Sequence, residues 1–411
     1  MDPSDKDATL GNILTELDDN ALCVLENIHK HGPITITGLM EITQTPRTTL
    51  NRSIKVLLDK GLIKQDGLET STGGRPSVIF NLNEDGFYTV GVELSHTNIH
   101  VVICDALMEP LWIADFPILE KNTPDEVFSR VFAALESNLA EVVADPGRLI
   151  GVGIGSVGPL DLERGMLLNA SSFPNPTWQN LNLRSLFEDR LSVPVYIANG
   201  ASAAAMCEYV RYVTHDVHSL VFFNVGVSVR AGVITGDTLL TGDGDREGSY
   251  GHLIIVPGGR PCYCGRHGCV EAYTTAPAIV RAFKHEIRKG KSSSIVVAKS
   301  PDKVQFADIC DAAKKNDGLC IEVLRDAATY MGLLMANIIN VLNPQVIVLG
   351  GTVPDRCPDY FEWAVQTAEK MVYNSGQVRC QFATPSMGRN TIAAGAAAMV
   401  LLSAMKGRDP S

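Results

Sequence analysis

The stretch that decides the fold of this chain is rich in cysteine and glycine. Residues 247–271 read EGSYGHLIIVPGGRPCYCGRHGCVE. Cys262, Cys264 and Cys269 fall within eight residues, and His252 stands ten positions before the first of them. Thiolates spaced in this way share no face of a helix or strand, so they converge only if a ligand draws the loop around itself. Zn2+ takes four tetrahedral nitrogen or sulfur ligands, and a Cys3His set fills all four positions. We therefore predict a structural Zn2+ site.

Two alternatives stay open for this segment. The cysteines could form a disulfide or remain reduced thiols, and His267 could replace His252 as the fourth ligand. The chain shows no apolar signal-like segment, so we expect a cytoplasmic protein. In a reducing compartment, clustered cysteines bind metal more often than they pair.

Length and composition limit the possible classes of protein. A chain of 411 residues is too long for one ordinary core, so we expect two or three domains. No apolar stretch approaches the roughly 20 residues that span a membrane, so we expect no membrane partner. The formal net charge of -11 means that any contact with nucleic acid must be local.

The amino-terminal part has the pattern of a winged helix-turn-helix. We expect a flexible arm over residues 1–17 and a DNA-binding domain over 18–85. Apolar residues recur at helical spacing in two of its three predicted helices, at Ala21, Val24, Leu25 and Ile28, and at Leu50, Ile54, Leu57 and Leu58. Thr35 can cap the middle helix. Two extended runs then flank a glycine-rich tip at 72–76, which resembles a wing.

The polar face of the third helix predicts contact with operator DNA. If its apolar stripe faces inward, then five side chains that can reach phosphates and base edges in a major groove face outward: Arg47, Thr48, Asn51, Arg52 and Lys55. Arg75 lies in the tip of the predicted wing. Residues 45–76 carry six basic and three acidic side chains, so the local charge is positive. The alternatives are a merely solvated helix face and a winged helix that contacts protein.

The rest of the chain, residues 86–405, alternates strands and helices and predicts an α/β domain. Expected strands cover 88–94, 99–105, 149–156, 194–198, 219–224, 231–235 and 345–349. Expected helices cover 125–143 and 201–212. Strands that end in glycine-rich turns are a usual way to present backbone amides to a ligand.

Several of these motifs together resemble the ROK family of sugar kinases and sugar-responsive repressors. They are the cysteine loop after Gly251-His252, the segment Asn199-x-Ala201-x-Ala203, Gly350-Gly351, and the wing with its Gly-Gly-Arg-Pro. The resemblance covers roughly residues 19–400 and implies an actin-like, ribonuclease-H-like ATPase fold in two lobes. It also implies homodimers or homotetramers, and zinc held by His252, Cys262, Cys264 and Cys269.

The kinase motifs of that family are degenerate in this chain. Phosphoryl transfer needs a carboxylate to accept the proton of the sugar hydroxyl and backbone loops to hold the nucleotide phosphates. Where the kinases have Asn-Asp, this chain has Asn199-Gly200. Their Asp-x-Gly-Gly-Thr and Gly-Thr-Gly-Ile-Gly phosphate loops correspond to residues 93–97 and 226–230, which read ELSHT and GVSVR. We therefore expect no enzyme activity.

The sugar site is partly kept. The resemblance places sugar contacts at Asn199, His252 and Glu271, with Asn175 and Trp178 in a nearby loop; ordinary packing is the alternative for Trp178. Ser249 stands where the family has glutamate, and Glu247 could replace that acceptor only if the backbone shifts. The effector is then an unusual sugar, a sugar phosphate or none. Arg230 could pair with an anionic ligand, and an exposed structural ion pair is the alternative.

These observations together predict a sugar-responsive transcription repressor. Its winged helix would bind operator DNA, and its catalytically inactive kinase-like domain would sense a carbohydrate or sugar phosphate. Two alternatives remain at this point: a carbohydrate kinase of the ROK family, and a repressor that has lost its sugar and responds to a protein partner.

Overall fold

The architecture was obtained as a computed structural model. It describes residues 13–69, 77–143, 145–168, 173–212, 216–242, 248–374, 376 and 379–406. The chain forms two compact units, of which the first comprises residues 1–216 and 390–411 and the second 217–389. Across the described residues we find no helix long and apolar enough to cross a membrane.

The first unit begins with a winged helix-turn-helix, as predicted. Its elements are α1 (Asp19–His31), β1 (Ile34–Thr35), α2 (Ile36–Thr43), α3 (Arg47–Asp59), β2 (Ile63–Glu69) and β3 (Ser77–Leu82). β3 lies between β1 and β2 and is antiparallel to both. Asp18 caps α1 and Thr35 caps α2 by accepting backbone N–H groups. The tip of the wing at 72–76, including Arg75, lies outside the described residues.

The buried faces of α1 and α3 match the apolar stripes of the sequence with one exception. Leu50, Ile54 and Leu57 are buried in α3, whereas Leu58 is only half-buried. Ser53 is buried in the same face. The apolar core of this segment therefore occupies a narrower stripe of α3 than the sequence predicts.

The division into an arm (1–17), a DNA-binding domain (18–85) and an effector domain (86–405) stays a prediction, with one qualification. Leu14 and Leu17 of the expected arm are buried, and Glu16 forms an ion pair with Lys60. Burial of two leucines removes apolar surface from water, which favours a fixed position for these residues. Leu14, Glu16 and Leu17 therefore pack against the rest of the described segment.

The remainder of the first unit is built on a five-stranded sheet. Its elements are β4 (Tyr88–Leu94), β5 (Asn98–Cys104), β6 (Pro110–Pro117), α4 (Pro124–Val142), β7 (Leu149–Ser156), β8 (Leu160–Asp161), β9 (Met166–Leu167), β10 (Leu181–Asn182), α5 (Leu183–Leu191), β11 (Val195–Asn199) and α6 (Gly200–Tyr212). The sheet order is β11-β7-β4-β5-β6, in which β4, β5 and β6 are antiparallel neighbours and β7 and β11 run parallel to β4. β8, β9 and β10 form a separate small sheet.

The second unit repeats that strand order. Its elements are β12 (Ser219–Val225), β13 (Val229–Thr235), β14 (Thr238–Leu239), α7 (Glu271–Thr274), α8 (Ala276–Arg288), α9 (Ile295–Ala298), α10 (Phe306–Ala313), α11 (Gly318–Leu342), β15 (Val346–Gly350), α12 (Thr352–Arg356), α13 (Pro358–Met371) and β16 (Gln381–Ala383). The sheet order is β14-β13-β12-β15-β16, again three antiparallel strands followed by two parallel ones. The two units thus share one topology.

The chain then returns to the first unit with α14 (Thr391–Lys406). Glycine allows this helix to approach its neighbours closely. A Cβ atom at Gly395 would lie 1.8 Å from the carbonyl oxygen of Ala203 in α6, and one at Gly153 of β7 would lie 1.8 Å from that of Ala396. α14 also packs against α1 of the winged helix-turn-helix. One helix therefore contacts both the sheet and the DNA-binding segment.

Candidate functional site

The strongest candidate metal site is the cysteine loop of the second unit. His252, Cys262, Cys264 and Cys269 place their ligand atoms within 4.8 Å of one another. Cys264 Sγ lies 3.7 Å from Cys269 Sγ, and Cys262 Sγ lies 3.7 Å from His252 Nδ1. A zinc tetrahedron with Zn–S bonds of about 2.3 Å has S–S edges of roughly 3.8 Å. The donor set and its spacing therefore fit Zn2+.

The alternatives for these cysteines can be compared with the same geometry. A disulfide bond has an S–S length of about 2.0 Å, so the separation between Cys264 and Cys269 does not correspond to one. His267, the other possible fourth ligand, is exposed and does not belong to the group. The arrangement favours His252.

The Cys264 thiol loses its proton more readily than an ordinary cysteine thiol, because its pKa is lowered. The backbone N–H of Arg266 lowers the pKa of Cys264 to about 7 by hydrogen bonding to its sulfur. Metals bind the thiolate form of cysteine, so a lowered pKa reduces the free energy needed to release the proton.

Backbone hydrogen bonds and glycines hold this loop in shape. The N–H of Cys262 donates to the carbonyl of Arg266, and the N–H of Gly268 donates to the carbonyl of Arg260. Gly268 has φ +80°, and a Cβ atom there would lie 1.8 Å from the carbonyl oxygen of Val256. Only glycine fits at this position, which explains the glycine before Cys269.

Glu271 joins the cysteine loop to the strand β13. It follows the last cysteine at the start of α7 and is only 4% exposed. Its Oε2 accepts the backbone N–H of Val229 at 3.0 Å. Its Oε1 is also buried and accepts no hydrogen bond from the described residues, although the Tyr263 hydroxyl lies near the carboxylate. Burial raises the pKa of Glu271, and Val229, His252, Tyr263 and Arg230 act in the opposite direction.

Two residues that depart from the kinase pattern contact each other. Arg230 Nη1 donates a hydrogen bond to Ser249 Oγ at 3.2 Å. Ser249 precedes the short turn Tyr250–His252, so this bond ties β13 to the segment that carries a predicted metal ligand. Glu247 lies outside the described residues.

Sequence reasoning missed Tyr263. Its hydroxyl lies 3.3 Å from His252 Nε2, the ring nitrogen on the side away from the sulfur atoms. The two rings meet edge to face with centroids 5.4 Å apart. Desolvation raises the pKa of Tyr263 to about 12, so the hydroxyl keeps its proton at neutral pH. The available signal was its position between Cys262 and Cys264, since two predicted metal ligands would fix the backbone on both sides.

Asn199 has a structural role in the first unit that its sequence motif did not reveal. The side chain is buried at the end of β11, and its Oδ1 accepts the N–H groups of Ala201 (3.1 Å) and Ser202 (3.0 Å). It therefore caps α6. Gly200, where the kinases have aspartate, could accept a Cβ atom at ordinary contact distances, because its nearest neighbour would be Ile392 at 3.5 Å. Position 200 therefore has room for at least a Cβ atom.

Asn175 and Trp178 also belong to the first unit. Asn175 Oδ1 accepts hydrogen bonds from the backbone N–H and the hydroxyl of Thr177, at 3.0 Å and 2.7 Å. Trp178 is fully buried, stacks on Phe173 and donates its indole N–H to the carbonyl of Asn122. The packing alternative is therefore correct for Trp178. Sugar contacts at Asn175 and Asn199, and at His252 and Glu271 in the second unit, stay predictions.

The predicted DNA-contacting residues share one exposed face of α3. Five of them are exposed there: Arg47, Thr48, Asn51, Arg52 and Lys55. Two other basic residues that contributed to the local charge are paired with carboxylates, Lys60 with Glu16 and Lys64 with Glu84. Among the described residues, the arginines and the lysine of α3 form no ion pair. The cationic character of this segment is thus concentrated on α3.

Comparison with known proteins gives the family. Residues 89–402 match the model of the ROK family, which is more than half of the chain. The chain belongs to the ROK family. Residues 15–75 of this ROK protein match the MarR family. The winged helix-turn-helix and the actin-like ROK fold predicted from the sequence are both confirmed.

Named relatives include regulators and kinases. This ROK protein is 28% identical over 333 residues to the xylose repressor of Caldicellulosiruptor bescii. The aligned region covers 80% of this chain and 82% of that relative. It shares its fold with a ROK family transcriptional regulator, a homolog of the E. coli MLC protein, with a TM-score of 0.74, 22% identity and coverage of 94% and 98%. The ROK hexokinase from Thermus thermophilus has a TM-score of 0.65 and 25% identity, and covers 78% of this chain and 100% of its own.

Proposed function

We propose that this ROK protein is a cytoplasmic, sugar-responsive transcription repressor. Its winged helix binds operator DNA as a homodimer or homotetramer, and its ROK domain senses a carbohydrate or a sugar phosphate without phosphorylating it. A ligand that binds one conformation of the protein better than another shifts the population, and DNA affinity changes with it.

The observation that carries this proposal is the polar face of α3. Arg47, Arg52 and Lys55 are exposed on one helix of a winged helix-turn-helix, together with Thr48 and Asn51. Arginine reads guanine and asparagine reads adenine in the major groove, while cations also neutralise phosphates. In the proposed complex, Arg75 of the wing makes a further contact with DNA. A local basic face on a chain with a formal net charge of -11 is suited to binding a polyanion such as DNA.

The proposed lack of catalysis is supported by one residue and two segments. Gly200 supplies no carboxylate to accept a proton, and side chains replace glycine in the segments 93–97 and 226–230. In 226–230, the Val229 amide is already used by Glu271. A nucleotide phosphate would have to compete with that carboxylate for the same donor.

We expect effector contacts at Asn175 and Asn199 of the first unit and at His252 and Glu271 of the second, because their amide, imidazole and carboxylate groups can hydrogen-bond to hydroxyls. Zn2+ would be held by His252 Nδ1 and the thiolates of Cys262, Cys264 and Cys269. When bound, the ion would fix the loop by closing all four coordination positions. His252 Nε2 then remains directed away from the metal, toward the side of Tyr263.

The test uses the full-length protein and a fluorescent fragment of its own upstream region. Fluorescence anisotropy at fixed salt should show specific binding, and at least one sugar from a panel of neutral and phosphorylated monosaccharides should weaken it. A coupled ATPase assay on the same panel should show no turnover. Turnover would identify a ROK kinase instead. Specific DNA binding that no sugar changes would favour a repressor controlled by a protein partner, and the absence of specific binding would refute the proposal.

A further inference from the structure

The Tyr263 hydroxyl lies beside two polar groups of the second unit that a ligand would use. It lies 3.3 Å from His252 Nε2 and close to the Glu271 carboxylate. A phenol hydroxyl can both donate and accept a hydrogen bond, as a sugar hydroxyl does. Tyr263 therefore gives His252 the kind of contact that a carbohydrate would give.

Glu271 supplies an independent sign that a ligand belongs here. Its side chain is 4% exposed, yet Oε1 accepts no hydrogen bond from the described residues. A buried acceptor without a donor costs free energy, because it has lost water and gained no replacement. A ligand that brings a hydroxyl group to Oε1 would recover that free energy.

The Tyr263 side chain beside this position is mostly exposed. The Tyr263 side chain is 80% exposed, so it loses little buried apolar surface if it rotates away. Its backbone is held on both sides by Cys262 and Cys264 of the predicted metal site. The structure therefore allows a side-chain rotation that leaves the loop in place.

We propose that the Tyr263 hydroxyl fills a ligand-hydroxyl position at His252 in the ligand-free protein, and that a carbohydrate with adjacent hydroxyl groups displaces it from His252 while donating to Glu271. This inference rests on the proposed function, since it specifies how the effector enters the same site. The ligand donates one hydroxyl to Glu271 Oε1 and places a second at His252 Nε2. Tyr263 competes with the ligand and so raises the concentration at which the protein responds.

The test uses the zinc-loaded full-length protein, with glycerol as a small probe that carries adjacent hydroxyl groups. Saturation-transfer NMR titrations compare wild type with Tyr263→Ala, and 2-propanol serves as a probe with a single hydroxyl. Loss of one competing hydrogen bond should tighten glycerol binding by about threefold to tenfold, with a smaller change for 2-propanol. Tyr263→Phe removes only the hydroxyl, so its affinity should lie between the two.

The matched control is Tyr373→Ala, because Tyr373 is equally exposed, at 78%, and lies outside this cluster. It should bind glycerol as wild type does. Zinc content and circular dichroism establish that each variant is folded. If Tyr263→Ala binds glycerol no better than wild type, or if Tyr263→Phe binds it more weakly, the inference is overturned. The proposed function would still hold in that case if a sugar changes DNA binding by the wild-type protein. If no sugar changes DNA binding, the sugar-responsive function is overturned, whatever the glycerol result.

Discussion

Replacing one predicted zinc ligand should remove the metal and destabilise the second unit. Cys269 is fully buried, and its sulfur lies 3.7 Å from that of Cys264, so serine at this position cannot restore the thiolate. A metal present at a thousand times its dissociation constant stabilises the folded state by about 4 kcal/mol. For a unit of this size, spanning residues 217–389, each kcal/mol shifts the melting temperature by about 2–4 °C. We therefore expect Cys269→Ser to lower the melting temperature by roughly 8–16 °C.

The assay combines metal analysis with calorimetry. Mass spectrometry of purified wild type should find one zinc per chain, Cys269→Ser should hold far less, and a chelator should lower the wild-type transition toward that of the variant. Cys310→Ser is the matched control, since Cys310 is a buried thiol of the same unit outside the cluster. It should keep its zinc. Wild-type protein without metal, or a Cys269→Ser variant with full zinc content, would refute the reasoning.

Three further perturbations address other parts of the molecule. Arg52→Ala should weaken binding to the cognate duplex by about 1–3 kcal/mol. Lys60→Ala should have a smaller effect, because Lys60 is already paired with Glu16. Anisotropy titrations at fixed salt compare the two variants, and equal losses of affinity would contradict our placement of the DNA-binding face. Gly395→Ala should destabilise the first unit by roughly 1–3 kcal/mol because its Cβ has no room, while Gly318→Ala, where nothing lies within 4 Å, should not; urea unfolding followed by circular dichroism decides. Asp317 caps α11, and although burial opposes the change, hydrogen bonds from Ser294, Cys320 and Ser293 hold its pKa well below the ordinary value of 3.8. A lowered carboxyl pKa stabilises the fold at pH values above the ordinary pKa, and this stabilisation is lost as the pH falls through the folded-state pKa. Asp317→Ala should therefore be less stable than wild type at pH 7 by about 0.5–2 kcal/mol. Urea unfolding should show that this difference in stability narrows on acidification, and a difference independent of pH would contradict the lowered pKa.

Local patterns in the sequence predicted local structure well. The spacing of Val24, Leu25 and Ile28 predicted α1, and Thr35 caps α2 as its residue type suggests. These successes depend on residues that are neighbours in sequence, where helix periodicity and capping chemistry act directly. The four predicted metal ligands also come together, since three of them lie within one short loop.

What sequence reasoning missed depends on contacts between distant segments. The polar sequence around Leu14 does not indicate that this residue is buried. The motif around Asn199 does not indicate that the side-chain Oδ1 of this residue caps α6. The contact between Tyr263 and His252 requires the loop to fold back over a gap of eleven residues. The repeated strand order could not be predicted either, because strand pairing is set by packing across the whole unit.

The position of α14 has a consequence for how the protein is made. Residues 391–406 leave the ribosome after all of 217–389, yet they pack against α6, the sheet of the first unit and α1. The amino-terminal half must therefore wait, incomplete, while the entire second unit is synthesised. During that interval the apolar surface that α14 will cover is exposed to chaperones and to other nascent chains. A chain truncated before residue 391 would carry the winged helix-turn-helix on a first unit that lacks this helix.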